Sequence, residues 1–208
     1  KSICLIEKDE NLYKKLVENY FNLKQIKVYN DDILKFDLEK KIKKKSIIFG
    51  NLPYNISSQI LVKIVKFKDW PPSYTDLILM FQKELGDKIL GKFKTSHYGR
   101  LSILANYKLK IVNKFLVSNN CFSPKPKVTS MVIHFQPKNN ILKIKNIANL
   151  EKVSNILFSN KRKMIKKNIE KILSRPEIDK VANLELSNRP SDIKPEIYYK
   201  ITEIYEKT

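Results

Sequence analysis

The stretch from residue 46 to residue 57 constrains the fold of this chain more than any other. Its three apolar residues Ile47–Phe49 predict a short buried strand, which Gly50 is expected to end. Asn51–Tyr54 follows, and Ser57 is a candidate cap for a helix that starts just after it. Ligands of open α/β sheets bind beyond the carboxyl ends of the strands, so a polar residue, a rigid proline and an aromatic ring here indicate a site.

The four residues Asn51, Leu52, Pro53 and Tyr54 suit one reaction, the alkylation of the exocyclic amine of adenine. The lone pair of that amine is delocalised into the ring, and accepting hydrogen bonds from both of its N–H groups localises it. The side-chain oxygen of Asn51 is one acceptor, and the backbone carbonyl of Leu52, directed by Pro53, is the other. Tyr54 offers a face for an extruded base, and no general base is needed before the transfer. The alternative interpretation is an ordinary tight turn.

The residues around this turn favour the first interpretation. The segment Phe49–Ser57 resembles the catalytic segment of the KsgA-type ribosomal RNA adenine dimethyltransferases, which move methyl groups from S-adenosylmethionine to the N6 atoms of two adjacent adenosines. Further segments resemble the same family in the same order, over essentially the whole chain. They are Leu5–Asp9, Asn30–Leu34, Phe81–Glu84, Tyr98–Ser102, Phe122–Val128 and Asn160–Lys163.

The resemblance implies an α/β fold with a Rossmann-like class I methyltransferase sheet. We expect this methyltransferase domain in residues 1–137 and a small C-terminal all-α domain in residues 138–208, after a linker marked by Asn139, Asn140 and Asn146. Family members begin with a basic segment, a central first strand and a Gly-rich loop, and none of the four glycines here forms G-x-G. We therefore expect an N-terminally truncated enzyme, in which the first two strands are separated from the others and cofactor binding is compromised.

The charge of the chain points to a polyanionic partner. Its 41 basic and 21 acidic residues give a net charge of +20, and nucleic acid is the simplest polyanion. A membrane partner is disfavoured, because there is neither an apolar run of transmembrane length nor a signal peptide. Cys4 and Cys121 have no metal or redox spacing, so we expect no metal site and a cytoplasmic, reduced protein.

Two candidate cofactor ligands follow the first two predicted strands. Ile3–Ile6 predicts a buried strand that ends at Glu7, and a carboxylate there commonly accepts hydrogen bonds from ribose hydroxyls. The alternative for Glu7 is a solvated strand end. After a second strand, at Ile26–Tyr29, the resemblance gives Asp32 a contact with the adenine amine of S-adenosylmethionine. The alternative for Asp32 is a turn or a helix cap. The resemblance adds Asn51 to the cofactor site.

The helices and strands that follow carry further candidate residues. Helices are predicted at residues 58–67, from Gln82 to Leu90 and from Arg100 to Tyr107, and strands at Leu77–Phe81, 109–117 and 129–136, the last two antiparallel. The loop between those two strands carries Phe122, Lys125 and Lys127. The resemblance places Phe122 near the target adenine, against Tyr54, whereas the alternative is a plug that anchors the loop. The two lysines would face a nucleic-acid backbone.

Basic residues are concentrated after the predicted sheet. Residues 138–175 contain 11 basic and 2 acidic side chains, and helices are predicted at 147–158, 161–174 and 195–206. The middle helix carries an apolar stripe for packing, and its basic face favours phosphate binding over a merely solvated face. Arg100 could contact phosphate or form a local salt bridge. The expected RNA-binding residues are Arg100, Lys125, Lys127, Lys161, Arg162, Lys163, Lys166 and Lys167.

The leading hypothesis is a monomeric adenine N6-dimethyltransferase that acts on a hairpin loop near the 3' end of small-subunit rRNA, in the immature 30S subunit. One alternative is the related large-subunit rRNA methyltransferase of the macrolide-resistance type. Leu52 and Asn188–Asp192 favour the small-subunit enzyme. The other alternative is a non-catalytic ribosome-assembly or RNA-binding factor on the same fold.

Overall fold

The structure, a computed structural model, describes residues 2–139, 141 and 144–208. Its contacts form two compact units, Lys1–Lys43 and Lys44–Thr208. The domain boundary expected after residue 137 therefore does not coincide with this division, and it stays a prediction. Of the expected linker residues, Asn140 lies outside the described residues.

The first unit is a two-stranded parallel sheet with two helices. The elements are β1 (Ile3–Glu7), α1 (Glu10–Tyr20), β2 (Ile26–Asn30) and α2 (Leu38–Lys41). Asp9 caps α1, because its side chain accepts a hydrogen bond of 2.9 Å from the backbone N–H of Leu12. Within the described ranges, β1 and β2 pair only with each other, which is the separation predicted from the sequence. The prediction that Ile3–Ile6 is buried is wrong: Ile3 is exposed, and no residue of β1 is fully buried.

The second unit contains a four-stranded sheet in the order β3-β4-β6-β5. Its first elements are β3 (Ser46–Asn51), α3 (Ser57–Val65), β4 (Tyr74–Gln82), α4 (Lys83–Ile89), α5 (Arg100–Lys108), β5 (Leu109–Val117) and β6 (Ser130–Pro137). β3 runs parallel to β4, and β6 pairs antiparallel with both β4 and β5, as predicted for the last two strands. Alternate residues of β4 and β6 are buried. These core residues are Leu77, Leu79, Phe81, Met131, Ile133 and Phe135.

The strand β3 differs from its prediction in burial and in length. It lies at the edge of the four-stranded sheet, and the face that carries Ile47 and Phe49 is exposed rather than buried. It also continues through Gly50 to Asn51. A Cβ atom on Gly50 would lie 2.6 Å from a Cδ atom of Leu52 and 2.7 Å from one of Leu79. Glycine thus leaves room for these side chains and does not end the strand.

The helix after the turn begins one residue earlier than expected. Ser57 is its first residue, and Ile56 occupies the cap position without a side-chain hydrogen bond. The Ser57 hydroxyl instead donates to the backbone carbonyl of Tyr54 at 3.0 Å. The prediction of Ser57 as the helix cap is therefore wrong, because its hydroxyl closes the preceding turn.

Side chains as well as backbone link β4 to β6 near the start of β4. The Nε2 atoms of His134 and Gln136 lie 2.7 Å and 3.0 Å from one carboxylate oxygen of Asp76. Hydrogen bonds from Gln136, His134 and Thr75, in that order of effect, lower the pKa of Asp76 to about 2. This cluster lies at the end of the sheet opposite Asn51, since Asp76 pairs with Ile47.

The described residues from 144 onward form helices and turns. The helices are α6 (Ile147–Leu157), α7 (Lys166–Ile169), α8 (Arg175–Ile178) and α9 (Pro195–Tyr205). α6 and α9 confirm two predictions to within one residue at each end. Both helices contact α5. The buried hydroxyl of Tyr199 donates to the carbonyl of Ile103 at 3.1 Å, and that of Tyr98 to the carbonyl of Ile193 at 2.9 Å.

The prediction of one helix over residues 161–174 is wrong, since only the single turn of α7 is helical there before residue 175. The backbone N–H of Ile165 donates to the carbonyl of Asn188 at 2.9 Å, which replaces the bond that a continuous helix needs. A continuous helix would also place like charges four residues apart, for example Lys163 and Lys167. The apolar stripe does serve packing, because Ile165 and Ile169 are fully buried. No helix in the described part of the chain is long and apolar enough to cross a membrane.

Candidate active site

A cleft of about 370 Å³ opens at the carboxyl end of β3. The predicted turn forms one of its walls, and the loop between β5 and β6 forms the other. Its lining residues are Asn51, Leu52, Pro53, Tyr54, Phe122, Ser123, Pro124 and Pro126. The second unit of the structure thus brings together all five residues that were predicted to act on the target adenine.

Two oxygen atoms of the turn are available as acceptors. Asn51 is the exposed last residue of β3, and neither its side-chain oxygen nor the carbonyl of Leu52 receives a hydrogen bond from any residue that the structure describes. The next two carbonyls are engaged: that of Pro53 accepts from the N–H of Ile56 at 3.1 Å, and that of Tyr54 accepts from Ser57. The internal bonds of the turn therefore leave free the two acceptors that the predicted chemistry requires.

The two aromatic rings of the cleft come from distant parts of the sequence. Tyr54 is half-buried, and its hydroxyl lies 2.6 Å from the Oγ atom of Ser130. Phe122 is half-buried in the opposite loop, whose end is fixed by a bond of 2.9 Å from the N–H of Lys83 to the carbonyl of Thr129. Sequence reasoning missed Ser130, because a serine at the start of a strand carries no local signal of such a contact.

No titratable side chain other than the tyrosine lines this cleft. The remaining lining residues are an asparagine, a leucine, a phenylalanine, a serine and three prolines. In the described part of the chain there is also no group of three or more His, Cys, Asp or Glu residues that could hold a metal ion. The chemistry available to the lining residues is therefore hydrogen bonding by neutral groups, stacking and exclusion of water.

Basic side chains adjoin the cleft and continue in the C-terminal segment. Lys125 and Lys127 alternate with the cleft-lining prolines and are exposed. Arg100 is exposed and donates to the side-chain oxygen of Asn155, a neutral partner, so its positive charge is not neutralised by this bond. We define the basic segment as the five exposed residues Lys161, Arg162, Lys163, Lys166 and Lys167. None of the five forms a salt bridge with another described residue.

The first unit holds the other two predicted cofactor ligands. Glu7 ends β1, and one of its carboxylate oxygens accepts from the N–H of Asp9 at 2.8 Å. The carbonyl of Glu7 accepts from the side-chain amide of Asn30 at 3.0 Å and from the N–H of Asp31 at 3.1 Å. These bonds tie the carboxyl ends of β1 and β2 together, and the second carboxylate oxygen of Glu7 has no partner among the described residues.

Asp32 follows β2 and is held as a carboxylate. It accepts from the ammonium of Lys8 at 2.9 Å and from the N–H of Leu34 at 2.9 Å, and the hydrogen bond from Lys8 is the main cause of its lowered pKa. Asp32 therefore stabilises a turn, as its alternative interpretation held, while remaining ionised. Two carboxylates at the ends of adjacent parallel strands fit the hydroxyls and the amine of a nucleoside, which are hydrogen-bond donors.

A family model for ribosomal RNA adenine dimethylases matches residues 1–207 of the chain. The chain belongs to this family. The ribosomal RNA small subunit methyltransferase A of Pelagibacter ubique is 39% identical over 207 residues, which cover 99% of this chain and 78% of the relative. The enzyme of the same name from Rhizobium etli is 37% identical over 169 residues, which are 80% of this chain and 61% of that protein. These matches confirm the predicted family.

Solved structures confirm the α/β methyltransferase-like fold. A dimethyladenosine transferase from Plasmodium falciparum superposes with a TM-score of 0.75 at 20% identity, covering 99% of this chain and 82% of that chain. The 23S rRNA methyltransferase ErmE superposes with a TM-score of 0.66 at 20% identity, with the same coverage. The family implies S-adenosylmethionine as the cofactor, and when bound it supplies the electrophilic methyl group.

Proposed function

We propose that this family member dimethylates the N6 atoms of two adjacent adenosines in a hairpin loop near the 3' end of small-subunit rRNA. The observation that carries this proposal is the pair of free acceptors, Asn51 and the carbonyl of Leu52, in one cleft that Tyr54 and Phe122 also line. The two named relatives, both small-subunit methyltransferases, support the small-subunit rRNA over the large-subunit rRNA.

The acceptors act on the amine of the target adenine. When both N–H groups donate, one to the side-chain oxygen of Asn51 and one to the carbonyl of Leu52, the nitrogen lone pair withdraws from the ring and points away from the two acceptors. This arrangement is preorganised, because Pro53 restricts the backbone that carries the Leu52 carbonyl. The alkylated nitrogen is acidic and releases its proton to water, which agrees with the absence of a carboxylate or imidazole among the lining residues.

The aromatic residues hold the base outside its stack. A base lying on the ring of Tyr54 recovers part of the stacking that it loses on extrusion, which is worth about 1–3 kcal/mol for a base on an aromatic side chain. Phe122, in the opposite wall, limits the space on the second face of the base. The volume of about 370 Å³ lies within the range of about 300–1,000 Å³ typical of small-ligand sites.

Phosphate contacts outside the cleft position the RNA. Lys125 and Lys127 flank the cleft, and we assign them, together with Arg100 and the basic segment, to the RNA backbone. The net charge of +20 favours rapid encounter with a large polyanion such as an immature small ribosomal subunit. We propose that the protein acts there as a monomer in the cytoplasm.

The cofactor residues complete the proposal. We assign the free carboxylate oxygen of Glu7 to the ribose hydroxyls of S-adenosylmethionine and the carboxylate of Asp32 to its adenine amine. The side chain of Lys8, which is 74% exposed, can leave Asp32 for solvent when a ligand donates instead. We assign Asn51 to both the cofactor and the target, at the point of methyl transfer.

Methyl transfer to defined RNA fragments tests the proposal. The product of the complete gene, with any residues that precede Lys1, is incubated with radiolabelled S-adenosylmethionine and hairpins from small-subunit or large-subunit rRNA, and the nucleosides are identified by mass spectrometry. We expect N6,N6-dimethyladenosine in the small-subunit hairpin alone. Modification of the large-subunit hairpin, or binding of both RNAs without any methylation, would contradict the proposal.

A further inference from the structure

The hydroxyl of Ser130 makes a contact that the proposed chemistry does not use. Ser130 is the first residue of β6, and its side chain is fully buried. Its Oγ atom lies 2.6 Å from the hydroxyl of Tyr54, a short hydrogen bond in which either oxygen can donate. This contact joins the turn that forms one wall of the cleft to the strand that follows the opposite loop, across 76 positions of sequence.

Tyr54 is consequently held at both of its ends. Its backbone carbonyl accepts from Ser57 at 3.0 Å, and the far end of its ring is bound to Ser130. A half-buried tyrosine ring can otherwise rotate about its first two side-chain torsions. The bond to Ser130 selects one orientation, so the ring face toward the cleft is fixed before a base arrives.

The support for Ser130 is itself rigid. Its backbone pairs with Gln82 of β4 on one side and with Val117 of β5 on the other, so it lies inside the sheet. The preceding carbonyl, of Thr129, accepts from the N–H of Lys83 at the start of α4. A buried hydroxyl held by two strands and a helix is a fixed reference point for the ring that it binds.

We propose that Ser130 is a positioning residue for the target adenine, which acts by fixing the ring of Tyr54 on which the extruded base stacks. This inference rests on the proposed function and adds a residue to the same site. The bond matters because methyl transfer requires the amine to meet both acceptors and the methyl group at once, and a tilted base meets fewer of them.

A double-mutant cycle separates this role from a general structural one. Ser130→Ala and Tyr54→Phe each remove the bond and keep the ring, so we expect each to lower kcat for methyl transfer by about 3- to 10-fold, the range that one ordinary hydrogen bond corresponds to. The double variant should be no slower than the slower single variant. Ser130→Thr keeps a hydroxyl and should restore most of the rate.

Base stacking gives a second readout that needs no cofactor. A hairpin with 2-aminopurine at the target position should lose fluorescence when the base stacks on Tyr54. We expect weaker quenching with Ser130→Ala at an RNA concentration that saturates binding. Ser154→Ala is the matched control, because Ser154 is also fully buried but lies in α6, where it donates to the carbonyl of Glu151. It should leave both the rate and the quenching unchanged.

The outcomes distinguish this inference from the proposed function. If the double variant lowers kcat by the product of the two single losses, or if Ser130→Ala leaves the quenching unaffected, then Ser130 does not act through Tyr54 and the inference is wrong. All rates are measured at a temperature well below the lowest thermal unfolding midpoint among the variants, so that a loss of stability cannot imitate a loss of positioning. If the unmodified protein forms no dimethyladenosine, the proposed function fails and the inference fails with it.

Discussion

Replacement of Asn51 by alanine isolates one of the two acceptors. The side chain is exposed at the end of β3 and makes no hydrogen bond with the rest of the described chain, so its loss leaves no buried group unpaired. The free energy of unfolding should therefore change by no more than about 0.5 kcal/mol. The backbone pairing of Asn51 with Met80 does not depend on the side chain and persists.

The rate should fall far more than the stability. The proposed bond from the adenine amine to the Asn51 oxygen would strengthen as the lone pair localises, so it should contribute mainly in the transition state. Removal of one preorganised partner of this kind costs about 100- to 1,000-fold in kcat in a comparable site. The carbonyl of Leu52 remains, and we expect kcat for Asn51→Ala to fall at least ~100-fold while RNA affinity stays nearly intact.

Single-turnover methyl transfer and filter binding on the same RNA hairpin measure the two quantities separately. Asn55→Ala is a matched control, since Asn55 is another exposed asparagine in this turn and does not line the cleft. Asn51→Asp keeps an acceptor oxygen and should retain more activity than Asn51→Ala. A parallel loss of RNA affinity and rate in Asn51→Ala, or an equal loss in Asn55→Ala, would refute the reasoning and indicate a structural role.

Three further outcomes follow from the charges and the buried hydrogen bonds. Charge reversal of Lys163, Lys166 and Lys167 should weaken RNA binding and flatten its salt dependence by about one unit of slope per lost phosphate contact, and an unchanged slope would mean a merely solvated surface. The pKa of Asp76 is depressed to about 2, so its contribution to stability is present above the ordinary pKa of about 3.9 and is lost as the pH falls toward 2. Unfolding midpoints of Asp76→Asn should therefore depend less on pH between about 4 and 2, and an identical dependence would contradict this. Tyr98→Phe removes a buried hydrogen bond of 2.9 Å to a backbone carbonyl and should lower the free energy of unfolding in urea by about 1–3 kcal/mol. An unchanged free energy of unfolding would mean that water replaces the bond.

The predictable part of the site is the part that lies within one local segment. Asn51–Tyr54 joins the end of a strand to the start of a helix, and its free acceptors follow from that local geometry. Phe122 could be placed opposite Tyr54 only through the family resemblance, because no local pattern relates two residues this far apart. The contact between Tyr54 and Ser130 could not be predicted, since it depends on which residue of β6 faces the turn.

The wrong predictions arose where a partner from outside the segment decides the structure. The apolar and basic periodicity of residues 161–174 is typical of a helix, but the carbonyl of Asn188 takes the N–H of Ile165. Burial of Ile47–Phe49 was inferred from composition, whereas the face of β3 that carries Ile47 and Phe49 has no cover from the rest of the described chain. Neither feature is visible in the segment itself.

In the proposed function, half of the recognition of the target amine resides in the backbone, and this shapes how the site can change. No side-chain substitution removes the carbonyl of Leu52, but three neighbours control its position. Pro53 restricts the peptide, Gly50 leaves space for the Leu52 side chain, and the bond from Ile56 to the next carbonyl closes the turn. Since the lining residues supply acceptors and rings rather than a base, the rate depends on how accurately these parts hold the adenine. Substitutions that shift the turn should therefore reduce methyl transfer even where every side chain that touches the base is kept.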